Sequence, residues 1–426
     1  MRLIHTFSAM VLLGTLVLIF FYSSLHLETT YSRKAAAEDL KTLKKKSITK
    51  PPHTPRHTPP HTPPPPSHHY NVTVSDGLKQ TIPQNKAYWN RLLYSALRRL
   101  DKREDPFGHD SRWVHCREAN QELLQTNVHD ITSYPGLFQD FLEGMHCRSP
   151  PVLIDQPNKC ISGEKGKKDE QIFLLFAIKT TPANFERRQA VRETWGREEV
   201  YESGLRVRTV FLLGSSSQDD PDLSSLLSFE AQHFGDILQW DFYESLLNLT
   251  LKMNMVFHWT QQNCPHVSFV FSGDDDVFVN TPALVNYLQS LEPSKASRLY
   301  VGHVISTANP LRDPKSKYYI PWSFYEGPYP AYAGGGGFLI SGALLRPFYA
   351  VSRVIPLFPI DDVYIGMCAK ALEVTPEAHA GFQTFDVKEQ DRENLCVYKD
   401  LILIHQRTPQ QMKKLWRGIH SPLLTC

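Results

Sequence analysis

The 426-residue sequence predicts an α/β protein with a doubly wound, largely parallel sheet. From Gln171 onward, short apolar runs alternate with segments of helical periodicity, which is the pattern of strands and crossover helices. One apolar run ends in three consecutive aspartates, and ligands bind at the carboxyl edge of such sheets. The composition, 41% hydrophobic and 21% charged, is typical of a globular protein.

The individual elements follow from local patterns. Residues 85–148 show mainly helical spacing of apolar side chains, so we expect a mainly helical region over residues 71–170 and an α/β domain over residues 171–426. In that domain the predicted strands are Ile172–Ile178, Val207–Leu213, Ile237–Trp240 and Val267–Phe271, and the predicted helices are Asn184–Trp195, Leu223–His233 and Leu246–Gln262.

The N-terminus predicts a membrane anchor behind a short cytoplasmic tail, residues 1–6. Phe7–Leu25 contains no charged side chain and, at 19 residues, can span a bilayer. A cleaved signal peptide is the alternative, but the run is long and no clean small-residue cleavage site follows. A strict positive-inside count would put the C-terminal side in the cytosol, whereas the features beyond the anchor favour the lumen.

Residues 26–70 predict a disordered stem. Residues 51–69 hold nine prolines in a His-Thr-Pro repeat, a density that favours extended polyproline II and excludes helix or central strand. The histidines of this segment could chelate a metal ion. A solvated spacer that holds a domain away from a membrane is the better interpretation, because no fold fixes their geometry.

Several features of the remaining chain favour a lumenal location. Asn71 and Asn248 begin Asn-x-Thr glycosylation sequences. The seven cysteines form no C-x-x-C metal pair, which favours disulfides in an oxidising compartment over buried free thiols and leaves the unpaired cysteine open. The formal net charge of +2, with basic residues dispersed, gives no indication of a nucleic-acid partner.

The three consecutive aspartates predict a metal–nucleotide site. Asp274, Asp275 and Asp276 would repel one another unless a cation lay among them. Oxygen ligands suit Mg²⁺ or Mn²⁺, and these ions commonly bind substrate phosphates. An isolated aspartate triplet is more often a solvated turn, but here the flanking strand pattern argues against that.

A basic motif and a glycine-rich motif are further candidates for ligand binding. Arg188 and Arg192 are four residues apart, so on a helix they can converge on one anion or form a surface row of cations. Gly334–Gly337, with Tyr329 and Tyr332 before them, disfavour regular structure and allow a ligand close to the main chain. The tyrosines offer faces on which a sugar could stack.

Two acids and a histidine complete the candidates. Asp361 and Asp362 follow a proline at the start of a helical pattern, either as simple capping acids or with one of them as a general base. His405 ends a late apolar strand, where a histidine is usually structural but could complete a metal shell.

Four of these segments together resemble the β1,3-glycosyltransferase family, which includes β1,3-galactosyltransferases and β1,3-N-acetylglucosaminyltransferases. The segments are Arg187–Gly196, Asp274–Asn280, Tyr329–Phe338 and Asp361–Gly366, and they match in the family's order. The resemblance extends from about residue 85 to the C-terminus. Further stretches resemble most closely the N-acetylglucosaminyltransferases that extend poly-N-acetyllactosamine, namely Leu153–Pro157, Tyr318–Pro321 and Cys426.

The resemblance implies a GT-A fold and a single-pass type II Golgi membrane protein that uses a UDP-sugar with Mn²⁺. It assigns Asp276 and His405 as metal ligands and Asp362 as the catalytic base. It places in the donor site Arg188, Arg192, Lys252, Asp274, Asp275, Gly334, Gly335, Gly336, Gly337 and Asp361. The implied acceptors are galactose-terminated glycans on glycoproteins or glycolipids, and a homodimer or hetero-oligomer is compatible with it.

The implied reaction is an inverting transfer from UDP-GlcNAc to O3 of galactose, with Asp362 as the proton acceptor. Two positions depart from the family: Ser272 stands where many members have lysine, and Glu244 replaces a more usual aspartate. They leave UDP-galactose as an alternative donor. A catalytically inactive glycan-binding protein and a membrane-tethered adhesion module are alternatives of another class.

Overall fold

The computed structural model describes residues 72–104, 113–161, 171–201, 204–216 and 221–426. The predicted tail, anchor and stem, together with Asn71, lie outside this part of the chain. Within the described ranges, no helix combines the length and the apolar character needed to cross a membrane.

The described residues before residue 150 are mainly helical, as the apolar spacing predicts. Its helices are α1 Asp76–Thr81, α2 Tyr88–Asp101, α3 Trp113–Asn127 and α4 Gly136–Gly144. Trp89 of α2 is fully buried, and its ring meets Tyr325 and Phe358 edge-on at centroid distances of 5.5 Å. The N-terminal helices therefore share a hydrophobic core with the segments that follow, and the described residues form one compact unit.

An eight-stranded sheet forms the centre of this unit. Its strands are β1 Val152–Ile154, β2 Ile172–Lys179, β3 Arg206–Ser215, β4 Ile237–Tyr243, β5 Phe269–Asp274, β7 Tyr300–Ile305, β8 Tyr332–Ser341 and β9 Glu377–Ala378. They lie in the order β1-β4-β3-β2-β5-β8-β7-β9. The four central strands β4, β3, β2 and β5 are parallel, whereas β1 pairs antiparallel with β4, and β8 pairs antiparallel with both β5 and β7.

A second, three-stranded sheet brings the late part of the chain to the carboxyl end of β5. It consists of β6 Phe278–Val279, β10 Phe382–Gln383 and β11 Leu403–Ile404. Ile404 pairs with Phe278 in the antiparallel β6–β11 ladder, so the residue after β11 lies opposite the residues just before β6. This register places His405 beside the aspartate triplet.

Helices cover the sheet and complete the α/β pattern. They are α5 Phe185–Glu193, α6 Ser224–Phe234, α7 Leu249–Asn263, α8 Thr281–Gln289, α9 Pro293–Ala296, α10 Gly342–Ser352, α11 Asp361–Ala371, α12 Leu395–Lys399 and α13 Pro409–Ile419. The predicted helix over Leu246–Gln262 begins with a 3₁₀ turn, Leu246–Asn248, and β5 extends to Asp274, beyond its predicted end.

The four consecutive glycines differ from the prediction, because they lie inside β8 instead of an irregular loop. The strand accommodates them through a shift of register against β7 between Val301 and His303. Gly335 and Gly336 have φ angles of 69° and 75°, in the left-handed region that side chains disfavour. The glycines therefore permit a bulged strand, which turns main-chain groups toward the neighbouring cleft.

The structure pairs six of the seven cysteines. The disulfides are Cys116–Cys147, Cys160–Cys264 and Cys396–Cys426, and they confirm the prediction of disulfides. Cys368 in α11 is the unpaired cysteine, and it is fully buried.

This pairing predicts the thiol chemistry of the protein. Burial raises the pKa of the Cys368 thiol to about 12, so at pH 8 the native protein should not react with a thiol reagent. In denaturant without reductant, titration with a chromogenic disulfide should reveal one thiol per chain. The Cys368→Ser variant should reveal none, and more than one thiol in the wild-type protein would contradict the pairing.

Candidate active site

The aspartate triplet lies at the end of β5, and its three side chains make different contacts. Asp275 is buried and accepts hydrogen bonds from the Thr180 hydroxyl, from Asn184 Nδ2 at 2.9 Å and from Arg187 Nη1 at 3.1 Å. Both of its carboxylate oxygens are thereby occupied. Asp275 fastens the turn after β5 to the segment after β2, which differs from the predicted role as a donor contact.

The other two aspartates face the residue that follows β11. His405 Nε2 lies 3.3 Å from Asp276 Oδ1 and 3.9 Å from Asp274 Oδ2. One ligand atom from each of these three side chains can be chosen so that all lie within 4.8 Å of one another. The predicted ligands Asp276 and His405 are thus brought together, and Asp274 joins them.

This cluster fits a divalent cation. Asp276 Oδ1 is buried, and its contact with His405 Nε2 at 3.3 Å is not aligned as a hydrogen bond, although buried carboxylate oxygens are normally paired. Burial alone would raise the pKa of Asp276, but the close contact and charge of His405, together with Arg187, lower it. An ionised carboxylate, a second carboxylate and an imidazole form a suitable donor set for a divalent cation.

A lysine that the sequence analysis overlooked connects the triplet to the start of α11. Lys179, the last residue of β2, is buried, and its Nζ lies 2.7 Å from Asp361 Oδ2 and 3.1 Å from Asp274 Oδ1. Burial alone would lower the pKa of Lys179, but the charges of Asp274, Asp361 and Asp362 hold it well above the ordinary value. The ammonium group is therefore fixed between two carboxylates.

The two acids at the start of α11 have separate environments, as expected for adjacent residues of a helix. Asp361 is held by Lys179, whereas Asp362 Oδ2 accepts a hydrogen bond from the Gly335 N–H at 2.9 Å. Burial raises the pKa of Asp362 to about 7, helped by the charge of Asp361 and opposed by Lys179 and the Gly335 N–H. Asp362 can therefore accept a proton near neutral pH.

The glycines of β8 shape the wall beside Asp362. A Cβ on Gly335 would lie 1.9 Å from Thr384 Cγ2, and one on Gly336 would lie 2.9 Å from the His405 ring. Their absence of side chains therefore lets the strand approach both residues closely. Gly335 itself lines the adjacent cleft, while Gly337 packs against Phe271.

A cleft of about 450 Å³ lies beside Asp362 and His405. Asp362 and His405 both line it, as do Tyr329 and Tyr332, the two tyrosines predicted to offer stacking faces. Its remaining lining residues are Ile305, Ala308, Asn309, Leu311, Tyr318, Gly335, Ile360, Thr384, Phe385 and Gln406. The volume lies in the range of pockets that hold small organic ligands.

Arg188 and Arg192 do not face this cleft, contrary to the prediction of an anion site. Arg188 is fully buried and binds Glu230 with Nε at 2.9 Å and Nη2 at 2.7 Å. Arg192 forms a second bidentate pair with Asp236, at 2.7 and 2.8 Å, and also contacts Glu230. Because carboxylates of the chain occupy both guanidinium groups, the arginines hold α5 against α6 and β4.

The neighbouring Arg187 is the arginine that reaches the triplet. Its Nη1 lies 3.1 Å from Asp275 Oδ1 and 3.3 Å from Asp276 Oδ2, and its side chain is 37% exposed.

Lys252 forms a buried ion pair, with its Nζ 2.8 Å from both Glu244 carboxylate oxygens and from the Thr180 carbonyl. Lys252 therefore supports the end of β2, and its ammonium is not directed at a ligand.

The predicted glycosylation residue Asn248 lies at the start of α7. Its Nδ2 donates a hydrogen bond to the Tyr243 carbonyl at 2.8 Å, and the hydroxyl of Thr250 is buried against the Phe358 carbonyl. In the folded chain both polar groups of this sequence are thus engaged, and its glycosylation stays a prediction.

The fold and the site define a glycosyltransferase-like α/β protein. A mostly parallel central sheet presents two aspartates that, with His405, suit a divalent cation at its carboxyl edge, and an aspartate with a pKa near 7 lines a cleft together with His405. The sequence also matches the galactosyltransferase family over residues 186–380.

Similar proteins of known name identify the family within this class. The N-acetyllactosaminide beta-1,3-N-acetylglucosaminyltransferase 2 of Mus musculus is 45% identical over 351 residues, which are 80% of this chain and 86% of the relative. The acetylgalactosaminyl-O-glycosyl-glycoprotein beta-1,3-N-acetylglucosaminyltransferase of Homo sapiens is 41% identical over 306 residues, covering 70% and 77% of the two chains. The chain belongs to the β1,3-N-acetylglucosaminyltransferase family, which confirms the resemblance.

Solved structures are more distant. Mouse xyloside xylosyltransferase 1 in its apo form aligns with 55% of this chain and 97% of its own at 12% identity, with a TM-score of 0.28.

The structural role of Arg188 can be separated from a role in ligand binding. Arg188→Ala should lower the free energy of unfolding by about 3–5 kcal/mol, because it leaves the buried Glu230 short of a partner. Arg187→Ala, the matched control, should cost about 1 kcal/mol or less, since that side chain is partly exposed. Urea unfolding measures both, and an unchanged stability with Arg188→Ala would restore the anion-binding interpretation.

Proposed function

We propose that the protein transfers N-acetylglucosamine from UDP-GlcNAc, with inversion, to O3 of a terminal β-galactose of N-acetyllactosamine-type glycans. The observation that carries the proposal is the shared cleft, in which Asp362 faces the same 450 Å³ space as His405 of the metal cluster. The relatives are named for β1,3-N-acetylglucosaminyl transfer, and they support this donor and this linkage.

Asp362 is the proposed general base. A galactose whose O3 hydroxyl lies within hydrogen-bond distance of the free Asp362 oxygen would lose its proton as the oxygen attacks the anomeric carbon of the donor. The Gly335 N–H holds Asp362 Oδ2, so Oδ1 is the oxygen oriented to accept the proton. One direct displacement inverts the α-linked sugar of UDP-GlcNAc to a β product without a covalent enzyme intermediate.

The donor diphosphate would be bound beside the triplet. Asp274, Asp276 and His405 would hold Mn²⁺, which when bound neutralises charge on the departing diphosphate. Arg187, with Nη1 next to Asp275 and Asp276, is the arginine placed to contact the same anion. Lys179 orients Asp361 and Asp274. These two acids would lie beside the donor, as the sequence predicts.

The two departures from the family give little support to UDP-galactose as donor. Ser272 is buried in β5 and its hydroxyl lies 3.0 Å from Met253 Sδ, so it faces the core. Glu244 keeps an acid next to Lys252, with both oxygens at 2.8 Å. Neither position removes a group from the cleft.

The proposed setting is the Golgi lumen, with a GT-A catalytic domain on a type II membrane anchor and stem. Three disulfides suit an oxidising compartment, and Golgi glycans would be the acceptors. The anchor itself is proposed from Phe7–Leu25 of the sequence alone.

The function is tested by transfer with the full chain purified in detergent. With Mn²⁺ and an N-acetyllactosamine acceptor, UDP-GlcNAc should yield a β1,3-linked trisaccharide, and UDP-galactose should yield far less. EDTA should abolish transfer, and His405→Ala should raise the Mn²⁺ concentration for half-maximal rate by more than about tenfold.

The alternatives give different results in this assay. Preferred transfer of galactose would keep the mechanism and overturn the donor. UDP binding without transfer to any galactoside would favour the catalytically inactive glycan-binding protein. Activity that persists after complete removal of divalent metal would contradict the metal cluster.

The base is tested by Asp362→Asn. The amide cannot accept the proton, so kcat should fall by about 10²–10⁴-fold while UDP binding measured by calorimetry stays within about twofold. In the wild-type protein, kcat/KM for the acceptor should fall below about pH 7, because Asp362 becomes protonated as the pH decreases through its raised pKa. A variant with normal kcat would exclude Asp362 as the base.

A further inference from the structure

The mouth of the cleft carries an aromatic side chain that the proposed chemistry does not use. Phe385 lines the cleft and is 76% exposed, the second most exposed large hydrophobic residue among those described. Its ring meets the His303 ring edge-on at a centroid distance of 5.4 Å. An exposed phenyl ring forgoes the gain of burial, so its position beside a polar reaction centre calls for an explanation.

The residues on both sides of Phe385 are constrained. On one side the Thr384 hydroxyl lies 3.1 Å from the Gly334 carbonyl and 3.2 Å from the Gly335 carbonyl. On the other side Asp386 has a φ of 70°, a left-handed conformation that costs free energy in a non-glycine residue. We call Thr384–Asp386 the lip of the cleft.

Ion pairs stabilise the strained residue of the lip. The carboxylate of Asp386 contacts the guanidinium of the buried Arg407 and lies 3.2 Å from Arg392 Nε. These contacts hold the pKa of Asp386 below its usual value, although partial burial opposes them. The ion pairs thus hold Asp386 in a costly conformation directly beside the exposed Phe385.

Arg407 also binds the backbone of a second residue in the left-handed conformation, Gln406. Gln406 has a φ of 61°, is exposed and lines the cleft next to His405. Arg407 Nη1 donates to the Gln406 carbonyl at 3.0 Å and to the His405 carbonyl at 3.2 Å. Arg407 therefore connects the lip to the segment after β11. The amide of Gln406 and the phenyl ring of Phe385 both line the same cleft.

We propose, on the basis of the proposed function, that Phe385 and Gln406 form a subsite for the sugar that carries the acceptor galactose. A phenyl face packs against the C–H face of a pyranose ring, and an amide can donate to and accept from hydroxyl or acetamido groups. The favoured occupant is a β-linked N-acetylhexosamine. The subsite would give the enzyme a preference for disaccharide and longer acceptors over an isolated galactoside.

The test compares acceptors of one and two sugars with the full chain. Methyl β-galactoside fills only the site at Asp362, whereas N-acetyllactosamine also reaches the lip. In Phe385→Ala, the ratio of kcat/KM for the disaccharide to that for the monosaccharide should fall by about five- to tenfold. Phe385→Tyr, which keeps the ring face, should restore the ratio, and Phe385→Leu should not.

A matched control separates the subsite from a general loss of exposed apolar surface. Phe229 in α6 is 71% exposed and lies outside the cleft, so Phe229→Ala should leave the ratio unchanged. Thermal unfolding of each variant checks that the fold is intact. Gln406→Ala should lower the same ratio, with a larger effect when the second sugar carries an acetamido group than when it is glucose.

The outcomes distinguish this inference from the function on which it rests. If the wild-type protein transfers to neither acceptor, the proposed function fails. If it transfers to both and Phe385→Ala lowers the two kcat/KM values equally or not at all, the function stands and the subsite is overturned. A ratio lowered equally by Phe385→Tyr would also exclude stacking on the ring.

Discussion

The site depends on a single buried cation, the ammonium group of Lys179. Taking a charge out of water costs several kcal/mol, and here Asp274 and Asp361 offset the cost at 3.1 and 2.7 Å. The two carboxylates come from the end of β5 and the start of α11, which are distant in sequence. Lys179 therefore joins the metal cluster to the helix that presents Asp362, and it fixes their relative position.

The triplet shows how three adjacent acids can coexist. The middle one, Asp275, turns into the protein and is neutralised by Arg187 and by hydrogen bonds from Thr180 and Asn184. The outer two have other partners, one against Lys179 and the other against His405. A solvated acidic turn would need none of these partners, so the buried contacts decide against that interpretation.

The sequence predicted the parts of the site that local patterns encode, namely the strand before the triplet, the helix start at Asp361 and the strand before His405. It misplaced Arg188 because a spacing of four residues indicates a shared helix face but not what lies opposite. Glu230, its partner, follows 42 residues later. Lys179 gave no signal, since one lysine after an apolar run does not reveal the acids that surround it. Phe385 was overlooked because exposure is a property of the fold.

The charge balance of the cleft links donor binding to cation binding. Among the described residues, Lys179, Arg187 and His405 are the nearby cationic groups for Asp274, Asp276, Asp361 and Asp362, and Arg187 is shared with Asp275, so the acids are in excess. An anionic diphosphate would be repelled by this excess, and a divalent cation alone would be attracted by it. Under the proposed function the two ligands must therefore raise each other's affinity. Because such coupling is reciprocal, a substitution in the cluster that lowers the affinity for the cation also lowers the affinity for the UDP-sugar. This holds even where no residue that touches the sugar is altered.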